Sequence, residues 1–312
     1  MNRLPKGSAV RIGVVIVAFN SDNLLNGCIS GALLDPQVSD VVVVDNSSSA
    51  NSRRVVLERA KDDSRLRYLD PGKNLGFAKG CNEGASAIQG ATHYFFVNPD
   101  VQLSRPLAAL VTHLESTRSA IVTGRLRSPA HPLSVNVRPQ ANWRRETMKA
   151  MVGSRAYMSK SLSPSQTPEG ARLDVGQVDG ALLGISVDHF NALRGFDEQF
   201  ELYYEDVDIC LRAAAIGGCV YVSEEWGIHV GGASSASVSA LAYSVARVSR
   251  VRFLRKHYGV SRAVRMATIA VALLELAART ATGQPEGLRV RSDSVRSQLA
   301  ELTRPGSVQV LA

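Results

Sequence analysis

A small set of oxygen and nitrogen side chains, widely spaced along the chain, carries the chemistry this sequence could perform. Asn98-Pro99-Asp100 places a carboxylate after an apolar run. A hard cation takes oxygen ligands and commonly bridges such a carboxylate to substrate phosphates, although a plain Pro-Asp turn would use the same residues. Glu205-Asp206-Val207-Asp208 concentrates acid at the start of a helical pattern. The helix dipole alone favours acid there, but a carboxylate whose pKa is raised by neighbours also makes a general base for a hydroxyl. Glu205 and Asp208 share a helix face at i, i+3 and Asp206 points elsewhere, free to meet a different environment. His229 stands before Val230 and the pair Gly231-Gly232. It reads either as a structural histidine or as a metal ligand beside a backbone open enough to approach a pyrophosphate. Asp45, after four valines, accepts hydrogen bonds either from a nucleotide base or ribose or from the turn that follows it.

These residues need a scaffold that converges them. Residues 12–19 and 41–44 form β-branched, fully apolar runs of the kind found in buried parallel strands. Residues 66–69 and 93–97 read as two further strands. Helical patterns separate them, the first capped at Ser21 or Asp22, the next at 51–61 and 76–88. Alternating strands and helices predict an α/β domain with a parallel sheet, whose ligands bind beyond the carboxyl ends of the strands. Asn20, Asp45, Asn74 and Asp100 each follow one strand and so fall at that edge. Further along, 104–116 reads as a helix and 120–123 as a strand. Residues 125–174, with Pro129, Pro132, Pro139, Pro164 and Pro168, read as irregular and as a mobile segment over the crevice. A strand at 178–187, a short helix at 189–193, a strong helix at 205–216 and a strand at 219–222 follow. Beyond residue 240 the pattern is helical to about 280, with a polar, loose tail after Gly283.

The chain has 312 residues, 45% hydrophobic and 21% charged, with a net charge of +8. That composition supports a packed core and favours anionic partners such as phosphates, membrane surfaces or nucleic acid, without choosing among them. Cys28, Cys81, Cys210 and Cys219 have no metal-type spacing and read as buried thiols in a reducing compartment. No leader is evident and no run reaches the roughly 18–20 apolar residues of a membrane span, so a cytoplasmic protein is expected. Arg247, Arg250, Arg252, Arg255, Lys256, Arg262 and Arg265 stud the C-terminal helical pattern. They offer either a peripheral contact with the inner membrane or a solvated basic face.

Taken in order, Val41-Val42-Val43-Val44-Asp45-Asn46-Ser47-Ser48, Asn74-Leu75-Gly76-Phe77-Ala78 and Asn98-Pro99-Asp100-Val101 resemble the family 2 glycosyltransferases. So do Asp179-Gly180-Ala181, Gly195-Phe196-Asp197-Glu198, Tyr203-Tyr204-Glu205-Asp206-Val207-Asp208 and His229-Val230-Gly231-Gly232-Ala233-Ser234. The nearest branch is the rhamnosyltransferase-like enzymes of bacterial polysaccharide synthesis. The resemblance implies a GT-A fold, a mostly parallel mixed sheet flanked by helices. That domain would span 1–240, with a nucleotide-sugar half at about 11–123, an acceptor half at about 124–240, and a helical extension over 241–312. It implies Asp206 as catalytic base and Glu205, Asp179, Gly180 and Ala181 on the acceptor side. Phe19, Asn20, Asp45, Asn74, Gly76, Phe77, Lys79 and Asn98 would bind donor, and Asp100 and His229 would hold Mg²⁺ or Mn²⁺. Two positions depart from the family pattern: Asn98 replaces the first acid of the metal motif, and Lys79, where relatives carry a small residue, either meets the diphosphate or is solvated. The reaction implied is an inverting displacement that moves a sugar, best matched by L-rhamnose from dTDP-rhamnose, to a glycan or polyprenyl-diphosphate-linked hydroxyl. UDP-hexose or UDP-galactofuranose donors remain open, as does a non-catalytic binder of nucleotide sugar or glycan. A dinucleotide oxidoreductase lacks its glycine fingerprint after the first strand, and nucleic-acid binding has no motif. The oligomeric state is not read from the sequence.

Overall fold

A computed structural model describes residues 9–129, 136–152, 167–230, 239–259, 266, 269–270 and 296–301. The first half alternates as its pattern requires: β1 (Ile12–Ala18), α1 (Asp22–Leu33), β2 (Val38–Asp45), α2 (Ala50–Arg59), β3 (Leu66–Leu69), α3 (Phe77–Ser86) and β4 (His93–Val97). Then come β5 (Val101–Leu103), α4 (Leu107–Thr117), β6 (Ile121–Arg127), β7 (Val137–Arg138), α5 (Trp143–Val152), β8 (Arg172–Val175), β9 (Gln177–Val178) and β10 (Leu182–Ser186). The chain continues through α6 (Val187–Ala192), α7 (Glu205–Ala213), β11 (Cys219–His229) and α8 (Ser239–Tyr258).

One nine-stranded sheet runs in the order β3-β2-β1-β4-β10-β6-β11-β5, with β8 also on β11, and β7 pairs with β9 in a second, two-stranded sheet. Strands β1 to β4 are parallel to one another, and β6 is parallel to β11, whereas β10 runs antiparallel between β4 and β6. The sheet is therefore mixed and mostly parallel, and it runs without interruption from the first half of the chain into the second. Alternate residues of β1 serve opposite faces. Ile12, Val14 and Ile16 pack under α1 and α4, and Val15 and Val17 pack under α3 with Phe96, Phe190 and Phe196. Because helices cover both faces, β1 and β2 carry near-continuous apolar sequence.

Two stretches differ from the sequence reading. The region expected to be irregular contains the end of β6, β7, α5 and β8; residues 130–135 and 153–166, including Pro132 and Pro164, lie outside the described residues. The single strand expected at 178–187 is two strands, interrupted at Asp179-Gly180-Ala181. Residues 260–265, with Arg262 and Arg265, the tail at 302–312, and the glycines at 231–232 also lie outside the description.

Among the described residues, several basic side chains of α8 meet acids of the chain. Arg250 is buried, Arg252 and Arg255 pair with Glu301 at 3.4 and 2.8 Å, and Lys256 pairs with Asp197 at 2.7 Å and Asp208 at 2.5 Å. Helix α8 thus pairs Arg252, Arg255 and Lys256 with acids at 197, 208 and 301. Among the described residues no helix is long and apolar enough to cross a membrane.

Candidate active site

The register of the sheet brings distant acids together. Strand β5 lies antiparallel to β11 with Val101 opposite His229, and the Val230 N–H donates to the Asp100 carbonyl at 3.0 Å. Asp100 therefore faces His229, whose Nε2 lies 3.2 Å from Asp100 Oδ1. Asp100 is buried and His229 is partly buried. Burial works against charging the imidazole, but the hydrogen bond and charge of Asp100, with Asp179 further off, outweigh it and hold the pKa above the usual histidine value.

A chain of contacts runs from this pair to Asp206. The Asn98 N–H donates to the Ala181 carbonyl at 3.0 Å, extending the β4–β10 pairing. Two residues earlier, the Asp179 N–H donates to the Asn136 carbonyl at 2.9 Å, and its carboxylate meets Arg138 at 2.9 Å. Gly180 N–H donates to Asp206 Oδ2 at 3.1 Å, and Val207 N–H donates to Oδ1 at 2.7 Å. A Cβ added at Gly180 would meet the Phe77 ring at 3.4 Å and Asp206 Cβ at 3.7 Å. Asp206 is partly buried. Burial and the nearby Asp179 push its pKa up to about 6, against the two N–H donors and Arg138. Glu205 is buried, its Oε2 makes no hydrogen bond, and burial and Asp206 push its carboxyl well above the ordinary range.

Phe77 enters the site through a constrained turn. The Asn74 side chain accepts from Gly76 N–H at 2.9 Å, and Asn46 bonds both Leu75 N–H and the Gly76 carbonyl. Gly76 has φ +79°, and a Cβ there would lie 2.4 Å from the Glu201 carbonyl oxygen, so the turn requires glycine. Phe19 and Asn20 follow β1 at the same edge, where Asn20 N–H donates to Ser47 Oγ at 3.3 Å.

Two expected donor ligands have other partners. Asp45 is fully buried and accepts from Ser47 N–H and Oγ, Ser49 N–H and the Tyr68 hydroxyl, at 3.0, 2.6, 2.9 and 2.9 Å. Four bonds occupy a carboxylate's acceptor capacity, and through them Asp45 organises the loop after β2. Lys79 pairs with Glu198 at 3.4 Å near the surface.

The structure also shows residues that the sequence reading did not single out. Arg138 is the cation beside Asp179. Tyr203 and Tyr204, with φ of 64° and 72°, are consecutive left-handed residues before α7, a conformation costing of order 1–3 kcal/mol each. The turn is held by the Tyr204 hydroxyl, which donates to buried Glu146 at 2.5 Å, and by its ring packing on Phe253. On the far side of α7, buried Asp208 meets Arg212, Lys256 and His257 at 2.8, 2.5 and 2.7 Å. The i, i+4 spacing announces Asp208–Arg212; the contacts of Tyr204 with Glu146 and Phe253, and of Asp208 with Lys256 and His257, depend on the docking of α5 and α8.

Among the described residues no cluster of three His, Cys, Asp or Glu side chains is placed to hold a metal. Asp100 and His229 supply two donors of suitable type. Their 3.2 Å separation matches adjacent positions around a small divalent ion with ligands at ~2.1 Å.

Residues 13–162 match the family model described as glycosyl transferase family 2. A low-salt glycan biosynthesis hexosyltransferase, Agl10 of Haloferax volcanii, is 26% identical over 224 residues, covering 68% of this chain and 65% of that protein. An N-acetylglucosaminyl-diphospho-decaprenol L-rhamnosyltransferase of Mycobacterium tuberculosis is 27% identical over 210 residues, covering 61% of this chain and 66% of that protein. The chain thus spans just under two thirds of the length of these relatives. Among solved structures, GalNAc-T7 with UDP, GalNAc and Mn²⁺ aligns at a TM-score of 0.59 and 12% identity, covering 92% of this chain and 54% of that one. The mannosyltransferase PcManGT of Pyrobaculum calidifontis with GDP-Man and Mn²⁺ aligns at 0.51 and 15% identity, covering 96% and 76%. These alignments and the mixed sheet show a GT-A fold.

Proposed function

We propose that the chain, whose residues 13–162 match the model of glycosyl transferase family 2, moves a sugar, with inversion, from a nucleotide diphosphate to a hydroxyl of a glycan or polyprenyl-diphosphate-linked acceptor. The reading is supported by the backbone link that runs from Asn98, two residues before the His229-paired Asp100, through Ala181 and Gly180 to Asp206. The donor we favour is dTDP-rhamnose, supported by the rhamnosyltransferase relative.

In this reading Asp206 removes the acceptor hydroxyl's proton as the oxygen attacks the anomeric carbon. A base near 6 is ionised at neutral pH yet basic enough to take a proton in the transition state. Glu205, buried beside it with its carboxyl pushed well above the ordinary range by burial and by Asp206, would offer a hydrogen bond to the acceptor. Asp100 and His229 would hold Mg²⁺ or Mn²⁺, whose charge would offset that building on the departing diphosphate. The turn from Asn74 to Phe77 lines the donor side and keeps Phe77 against Gly180.

A thermal-shift panel of nucleotide diphosphates and their sugars, with and without Mn²⁺, tests the reading. A ligand specific for the native fold at 100 times its Kd adds about 2.7 kcal/mol of stability. The expected result is a rise in melting temperature with dTDP-rhamnose that needs Mn²⁺ and is lost in His229→Ala. No shift with any nucleotide sugar would reject the proposal.

A further inference from the structure

Arg138 stands in the site with no role in the scheme above. It ends β7, the short strand paired with β9, and its guanidinium bonds Asp179 Oδ2 at 2.9 Å. Asp179 adjoins Gly180, whose N–H holds the Asp206 carboxylate. A cation, an anion and the basic carboxylate are therefore fixed in sequence on neighbouring backbone. We propose that Arg138 is a positioning residue for the transfer reaction: by pairing with Asp179 it masks that carboxylate's charge from Asp206 and so sets the pH at which Asp206 becomes a competent base.

The inference rests on the reading of Asp206 as the base and adds the device that tunes it. Among the described residues the charged and titratable groups around Asp206 are few, and His229 acts on Asp179 from the β11 side. Glu205 and Cys210 lie on its own helix, Tyr204 precedes it, and Asp179 and Arg138 approach from the β7–β9 side. Glu205, Cys210 and Tyr204 are all held towards their neutral forms by burial. Asp179 and Arg138 thus remain as the opposed full charges, and both are only partly buried, at 28% and 20% side-chain exposure. Removing either one has a sign that geometry dictates. Without Arg138, Asp179 repels the Asp206 carboxylate and the base titrates at higher pH. Without the Asp179 charge, Arg138 attracts it and the base titrates at lower pH.

The test is the acid limb of kcat/KM against pH, which reports the free enzyme, in Arg138→Gln, Asp179→Asn, Arg138→Lys and the double variant Arg138→Gln/Asp179→Asn. The limb is expected to rise by about one pH unit in R138Q and to fall by about one unit in D179N. It should return close to the wild-type position in R138K and in the double variant. Loosening of the site by either substitution would not move the limb in opposite directions. A limb that stays put, or moves the same way in both single variants, overturns the proposal. A ¹³C titration of the Asp206 carboxyl in metal-free, donor-free protein, assigned by its loss in Asp206→Asn, must show the same opposed displacements. That readout stands whether or not Asp206 is the base. An active D206N with opposed displacements would overturn the base assignment alone, and an inactive D206N without them would overturn this inference alone.

Discussion

Asp206→Asn should bind nucleotide sugar as the wild type does while losing about 10²–10⁴-fold in transfer rate, the range general-base catalysis supplies. The amide is isosteric and keeps an oxygen for the Gly180 or Val207 N–H, so the turn that presents it is retained. Stability gives a second signature. The folded-state pKa is raised to about 6, so the charged carboxylate is disfavoured in the native state at neutral pH. The neutral amide relieves that penalty, and D206N should unfold at higher urea than wild type at pH 8. The difference should shrink as pH falls through 6 and vanish below about 4, where the wild-type acid is protonated both folded and unfolded. A more stable, ligand-competent and inactive variant is expected where a site holds a functional group at the expense of stability. Full transfer activity in D206N would remove this residue from the mechanism.

The largest loss of stability is expected from Asp208→Asn. Burial alone would raise this carboxyl, but the His257 hydrogen bond, Arg212 and Lys256 more than reverse that and hold it at about 2. Removing one partner of a buried ionic cluster costs about 3–5 kcal/mol, because the remaining charges stay desolvated. Here Lys256 keeps Asp197 and Arg212 keeps the carbonyls of Leu193 and Gly195, so the loss should fall near ~3 kcal/mol. The sign with pH follows from the depressed value: the contribution is full above about 4 and disappears as pH falls through 2. Urea melts at pH 7 and at pH 3 should therefore differ more for wild type than for D208N. Because Asp208 ties α8 to the helix bearing Asp206, its loss should also lower kcat. An unchanged urea midpoint would show that α8 is not anchored through this carboxylate.

Much of the scaffold was legible because burial left no choice. Residues 66–69 and 93–97 are strands as the apolar runs predicted, and the valines at 41–44 lie within β2. Residue type left Asp100 open between turn and ligand and His229 between structural and ligand roles, and only the family resemblance joined the two; in the structure they pair at 3.2 Å. What the sequence concealed depends on contacts made only after folding. Strand β5 is three residues, too short for a period, and exists because β11 offers an edge. Helix α5 carries Trp143, Arg144, Arg145 and Glu146 at its start, and its weak apolar stripe gives no helical signal of its own. The partners of Asp45 include the Tyr68 hydroxyl, which reaches across from β3. The left-handed backbone at Tyr203 and Tyr204 has no glycine or asparagine to advertise it. The basic residues of α8 read as a surface, since acids at 197, 208 and 301 are remote in sequence and near only in space.

The central claim is that the Asp100–His229 pair and Asp206 serve one bound donor. A crystal structure with Mn²⁺ and a nucleotide sugar, the ion located by anomalous scattering, tests it directly. The account predicts the Mn²⁺ peak at ligand distance from Asp100 and His229, with the anomeric carbon open on the side of Asp206. A metal held by other residues, or a sugar turned so that Asp206 lies behind the diphosphate, would contradict it.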